Sequence, residues 1–165
     1  MRKIVSVATA LFASLTASGA ESKYPAATVD VPGAWEKDQE STVDELTLNS
    51  KPEGQQIIVS VLRVKKELTD LDQVADIAAK IYEMRVKAFL TLSKGTAKFD
   101  KPESAATETS VVCVCRGYVE KDKVRMAVRV EATSKIVRST SVYDYTGQSA
   151  EEFQKWSTAI LAGVK

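Results

Sequence analysis

The period of the hydrophobic positions changes several times along this chain, and each change predicts an element. Thr28-Val29-Asp30-Val31 alternates like a short strand until Pro32-Gly33 breaks it ahead of Ala34-Trp35. Val43–Leu48 predicts a second strand, and the turn formers of Asn49–Gly54 follow it. Gln56–Val64 is rich in β-branched residues and apolar on both faces, which predicts the strongest strand, in a hairpin with Val43–Leu48. The period then lengthens to that of a helix. Leu71, Val74, Ala78, Ile81, Arg85, Ala88 and Leu92 form one stripe, which Ala75, Ile77 and Met84 widen and only Arg85 interrupts. Thr69 stands as its cap, with Asp72 at the capping-box position, and Gly95 is placed to end it.

From Lys94 to Thr109 the chain is polar and reads as a connecting loop. Three strands follow, at Ser110–Val119, Lys123–Ala132 and Ile136–Tyr145. In the second, Val124, Met126, Val128 and Val130 point one way while Arg125, Arg129 and Glu131 point the other, which predicts one face in the core and one in water. Ser149 and Glu152 have capping-box spacing at the start of a last helix, whose Phe153, Trp156, Ile160 and Val164 share a face. The order β-β-β-α-β-β-β-α predicts an α+β fold: an antiparallel β-sheet with two packed helices.

This layout resembles the α/β/α sandwich of the PsbP, Mog1 and DcrB-like proteins. The resemblance runs from about Thr28 to Val164. It is carried by the strand entering Pro32-Gly33-Ala34-Trp35-Glu36, the central helix, the meander and the amphipathic C-terminal helix. It implies the sandwich fold and a binding or accessory role, and it transfers no catalytic residue, because fold alone does not choose a partner.

The N-terminus adds a compartment. Arg2 and Lys3 precede an apolar run from Ile4 to Leu15, and small residues follow, with Ser18 and Ala20 where a signal peptidase reads. The run is too short for a membrane span. A cleaved signal over residues 1–20 is therefore expected, leaving a single α+β domain at 21–165 in the periplasm or secreted, without stable membrane insertion. Loss of those two cations turns the formal charge of +1 slightly negative, which argues against nucleic acid as a partner. Histidine is absent. That removes the usual proton shuttle and the commonest metal ligand, so no catalytic residue, metal or cofactor is assigned.

Cys113 and Cys115 lie two apart in one strand, which puts both on one face with Cα atoms about 6.5–7 Å apart. That is at or beyond disulfide reach. Two inert, buried thiols are the favoured reading, with a bulge-assisted or intermolecular disulfide and a soft-metal or redox site as alternatives. Arg116 and Tyr118 share the opposite face of that strand, and Tyr143 and Tyr145 share a face two strands along. With Arg138 they are the candidate partner-binding residues, since Arg and Tyr are enriched at binding hot spots. Trp35 reads as a core plug, and Arg85 as a stripe-edge residue that snorkels to water. Ser93-Lys94-Gly95-Thr96 lacks the upstream glycine of a phosphate loop.

Three functions compete. The first is a non-catalytic protein that engages an envelope or secreted protein, as accessory subunit, inhibitor or immunity factor. The second is a carrier of a small apolar ligand held between sheet and helix, in a pocket of a few hundred Å³. The third is an enzyme working through carboxylates, Lys or Cys. The first is the expectation, and enzymatic activity is not expected.

Overall fold

A computed structural model of the chain describes residues 28–165. The signal expected at residues 1–20 lies outside the described residues. Eight strands form one antiparallel sheet: β1 (Trp35–Lys37), β2 (Glu45–Ser50), β3 (Gln55–Arg63), β4 (Lys98–Phe99), β5 (Glu103–Ala106), β6 (Ser110–Val119), β7 (Val124–Thr133) and β8 (Ile136–Asp144). Two helices accompany it, α1 (Leu71–Leu92) and α2 (Ala150–Gly163). The strand order is β1-β2-β3-β8-β7-β6-β4, with β5 also paired to β6. The α+β class and the antiparallel sheet with two packed helices are as the pattern predicted.

The helices cover opposite faces, so the molecule has three layers. Under α1, Val74, Ala78, Ile81 and Phe89 meet Val111, Cys115, Met126, Val128 and Val130. Under α2, Phe153, Ile160 and Leu161 meet Ile57, Val59, Ala127 and Val142. The second face of β7 is therefore not the water-facing side that its arginines predicted. Their heads bend to the ends of α2 instead. Arg125 Nε donates to the Gln148 carbonyl at 2.8 Å and Arg129 Nη1 to the Leu161 carbonyl at 3.2 Å. A cation at the last helical turn complements the macrodipole.

Four further expectations are corrected. Thr28–Val31 is not a strand of the sheet but a strap along the end of α2. Val29 bridges Val164, Thr28 and Lys165 exchange backbone hydrogen bonds at 2.9 and 3.0 Å, and Asp30 N donates to Gly163 O. Pro32-Gly33 turns the chain away before a ladder can lengthen. The expected loop at Lys94–Thr109 contains β4 and β5, which lie along the outer edge of β6. The ten-residue β6 leaves a row of backbone donors and acceptors on that edge, and pairing them outweighs local propensity. Gly117 on β6 marks the closest approach, since a Cβ there would sit 2.9 Å from the Phe99 ring.

The cap of α1 is Asp70, not Thr69. Asp70 accepts from Gln73 N at 2.8 Å, and Gln73 Oε1 accepts from Thr69 N at 3.3 Å. The buried stripe then runs Val74, Ala78, Ile81, Arg85, Phe89. Leu71 and Leu92, expected at its ends, are 37% and 38% exposed. At α2 the capping box forms as predicted, with Glu152 N donating to Ser149 Oγ and Ser149 N to Glu152 Oε2.

Candidate functional site

Neither helix covers its whole face. α2 lies over β8 and β7 and its core takes in Val114 of β6, which leaves β5, Val112 and the stretches of β7 and β8 beyond the helix open on that side. The ladder registers place the residues of that open area. Arg116 stands opposite Ala127, Val114 opposite Arg129, Val112 opposite Glu131, and Arg138 opposite Glu131 and Val61. Side chains directly opposite in an antiparallel pair share a face, so these belong together. Arg116 Nη1 lies 3.5 Å from Glu103 Oε1, and its Nη2 donates to Thr158 Oγ1 on α2. Glu131 Oε2 lies 3.2 Å from Arg129 Nη2 and 3.5 Å from Arg138 Nη1. Val112 and Val114 are half-buried between them.

Of the five candidate residues, Arg116, Tyr118 and Arg138 share this face, and Tyr143 and Tyr145 lie on the other. The Tyr118 ring carries the Arg125 guanidinium 4.2 Å from its centroid, beside the start of α2. Tyr143 belongs to the core beneath α1, 6.1 Å from the Phe89 ring, with Tyr145 stacked on it at 6.4 Å. Burial pushes both phenols up, against the opposing charge of Arg85 in the case of Tyr143. Arg129, Glu131 and Glu103 were not among the sequence candidates. Their signal was the strand alternation itself, which becomes a patch only when the register is known.

Arg85 does not snorkel. It is 6% exposed, beneath α1. Its Nε donates to Ser139 Oγ at 3.0 Å and its Nη2 to Ser60 Oγ at 2.6 Å. Ser60 in turn donates to Glu45 Oε2 at 2.8 Å. The serine thus links a buried cation to a carboxylate at the edge of the helix. Burial lowers the guanidinium pKa, and Tyr143 and Glu45 oppose that shift. The stripe periodicity placed Arg85 facing the sheet, and the serines that receive it come from strands far away in sequence.

Both cysteines are free thiols, Cys115 buried and Cys113 half-buried. Burial raises both thiol pKa values. The Cys115 thiol also meets the Tyr82 phenol, which burial and this hydrogen bond push up in turn. Raised thiols are poor nucleophiles, and the geometry fits the inert reading. Trp35 donates from Nε1 to Pro32 O at 3.0 Å and packs at the margin of the α2-side core, as a plug.

The space between α1 and the sheet is filled. A cavity of about 10 Å³ between Ser60, Leu62, Ile81, Val137 and Ser139 holds at most one water. A larger open groove, about 360 Å³, runs between the first turns of α1 and β5, lined by Leu71, Ala75, Ala105, Ala106 and Val111 with Asp72 and Ser104. Among the described residues, no group of three or more His, Cys, Asp or Glu is placed to hold a metal. No helix among them is long and apolar enough to cross a membrane.

No protein-family model matches the chain, and no curated protein matches it. Among solved structures it is similar to cyanobacterial PsbP (CyanoP) from Synechocystis sp. PCC 6803, with a TM-score of 0.55 and 12% identity over 81% of this chain and 82% of that one. It is also similar to the Saccharomyces cerevisiae Ran-binding protein Mog1p, with a TM-score of 0.47 and 15% identity over 85% and 89% of the two chains. A structure from Bacteroides thetaiotaomicron VPI-5482 matches with a TM-score of 0.45 and 12% identity, over 86% of this chain and 46% of that one. The likeness to CyanoP shows a PsbP-like fold, as the element order and the Pro32-Gly33-Ala34-Trp35 turn implied.

Proposed function

We propose that the chain is an exported, non-catalytic accessory protein that engages a protein partner in the cell envelope through the open part of its α2 face. One observation carries this reading. Arg116, Arg129 and Arg138 gather around two half-buried valines where the sheet runs out from under the edge of α2. Arginine rims around an apolar centre have the composition of interface hot spots. The signal-type N-terminus supports the envelope location, and the lack of histidine supports a non-catalytic role.

The open groove between α1 and β5 favours a second reading, a carrier of a small apolar ligand. Affinity capture with residues 21–165, followed by mass spectrometry of everything retained, separates the two. A stoichiometric protein supports the accessory role. A lipid or other small molecule without a protein would overturn it in favour of the carrier.

A further inference from the structure

The two edges of the sheet are finished differently. On one side β1 is three residues long and carries Glu36 and Lys37. Beyond it Ser41 closes the edge of β2, its Oγ accepting from Thr47 N at 3.0 Å and donating to Thr47 O at 3.2 Å. Short, charged or plugged edges resist the addition of a further strand. On the other side β5 is exposed at all four residues. There Ser104, Ala105 and Ala106 bring neither charge nor proline to guard it.

The ladder identifies the backbone groups that β5 turns outward. Thr107 N donates to Ser110 O at 2.9 Å, which makes these two a hydrogen-bonded pair. Bonded and non-bonded pairs alternate along an antiparallel ladder. Ala105–Val112 and Glu103–Val114 are therefore bonded pairs, and the N–H and C=O groups of Ser104 and Ala106 point away from β6. The side chains of these two residues stand opposite Cys113 and Val111, on the α1 side of the sheet. With Leu71, Ala75 and Val111 they line the groove of about 360 Å³. Outward-facing backbone and apolar groove thus run side by side along one edge.

The groove also has a sign. Asp72 is the charged residue of its lining, and its carboxylate has no cation partner among the described residues. A small apolar molecule would cover the outward N–H and C=O groups without pairing them, whereas an extended chain pairs them. We propose that the β5 edge and its groove bind an extended segment of another protein. That segment adds a strand to the sheet through Ser104 and Ala106, lays apolar side chains over Ala75 and Val111, and sets a Lys or Arg against Asp72. Main-chain pairing supplies the affinity of such a contact, and the alternate side chains in the groove supply its specificity. This site is separate from the α2-face contact, and either can fail alone.

The test is a nuclear magnetic resonance titration of the 15N-labelled protein with the end-blocked peptide Thr-Val-Thr-Val-Thr-Lys-Thr, whose valines and lysine share one strand face. The amide signals of Ser104 and Ala106 should shift saturably and their hydrogen exchange should slow, since both N–H groups gain an acceptor. The same peptide N-methylated at both valines loses its pairing N–H groups and should not bind. Ala106→Pro removes one outward N–H at an edge position that tolerates proline, and should weaken binding about tenfold. Asp72→Asn leaves the edge intact and should weaken it about two- to fivefold. Absence of saturable shifts, equal binding of the N-methylated peptide, or unchanged affinity in Asp72→Asn would overturn the proposal. Shifts with sodium laurate and none with the peptide would overturn it in favour of a small apolar ligand. Exchange at Ser104 and Ala106 that slows with protein concentration alone would overturn it in favour of a second copy of the chain.

Discussion

Truncating Arg85 to alanine tests whether a buried cation is part of the α1 interface. The side chain is 6% exposed, with its head on Ser139 and Ser60 and the Ser60 hydroxyl relayed to Glu45. Three effects compete. Removing a large buried side chain costs about 2–5 kcal/mol in lost contacts and cavity. Ser139 loses its partner while Ser60 keeps its bond to Glu45, which adds about 1–3 kcal/mol. Relief of the buried guanidinium's desolvation, worth several kcal/mol, works the other way. The net expectation for Arg85→Ala is a loss of about 3 kcal/mol, or roughly 6–12 °C in Tm. Arg85→Met keeps the stem volume and sheds the charge, so its cost should be about 1 kcal/mol and should nearly vanish with Ser139→Ala alongside it. Urea melts followed by circular dichroism read both. A cost below about 1 kcal/mol for Arg85→Ala would refute the reasoning, because it would mean that the stem packs against nothing and the head already lies in water.

Other outcomes follow from the same geometry. Burial raises the Cys113 and Cys115 thiols and the Tyr82, Tyr143 and Tyr145 phenols. The folded state therefore holds these protons longer than the unfolded one. Stability should be full below about pH 8.5 and fall as pH rises through the thiol and then the phenol range, near pH 10. Urea midpoints that stay constant up to pH 10.5 would contradict this. Ser149→Ala removes the cap of α2 and should cost about 1 kcal/mol. The Glu152 carboxyl is lowered by its hydrogen bonds to the Ser149 side chain and backbone, so its contribution fades as pH falls through the folded value. The variant should lose that acid-side slope in denaturant melts. Gly163→Ala places a Cβ against the Asp30 carbonyl. It should free the Thr28–Val31 strap at a cost of about 1–3 kcal/mol, read as faster amide exchange at Asp30 with the sheet amides unchanged.

Strand alternation and helical stripes were legible wherever a single face decides burial. The β6, β7, β8 meander and α2 with its capping box were all readable within a residue or two, because local pattern and tertiary burial agree there. Thr28–Val31 misled because a four-residue alternation carries no information on whether a neighbour is present to pair with it. β4 and β5 were hidden for the opposite reason. Their residues are polar or small, and what makes them strands is the open edge of β6, which no local pattern shows. Arg85 was read as solvated because burying a cation is costly, and its serine acceptors are 25 and 54 residues away in the chain. The candidate site was half legible. Arg116, Tyr118 and Arg138 were picked for residue type, but Arg129 and Glu131 join them only through the β6–β7–β8 register.

The central claim is that the partner meets the open α2 face, and site-specific photo-crosslinking in the source cells tests it directly. A photoreactive residue would replace Val112 on that face and, in a second variant, Thr47, which lies across from Ile58 on the α1 side of the sheet. The account predicts a discrete protein adduct from position 112 and none from position 47. An adduct from position 47 alone, or none from either, would contradict it.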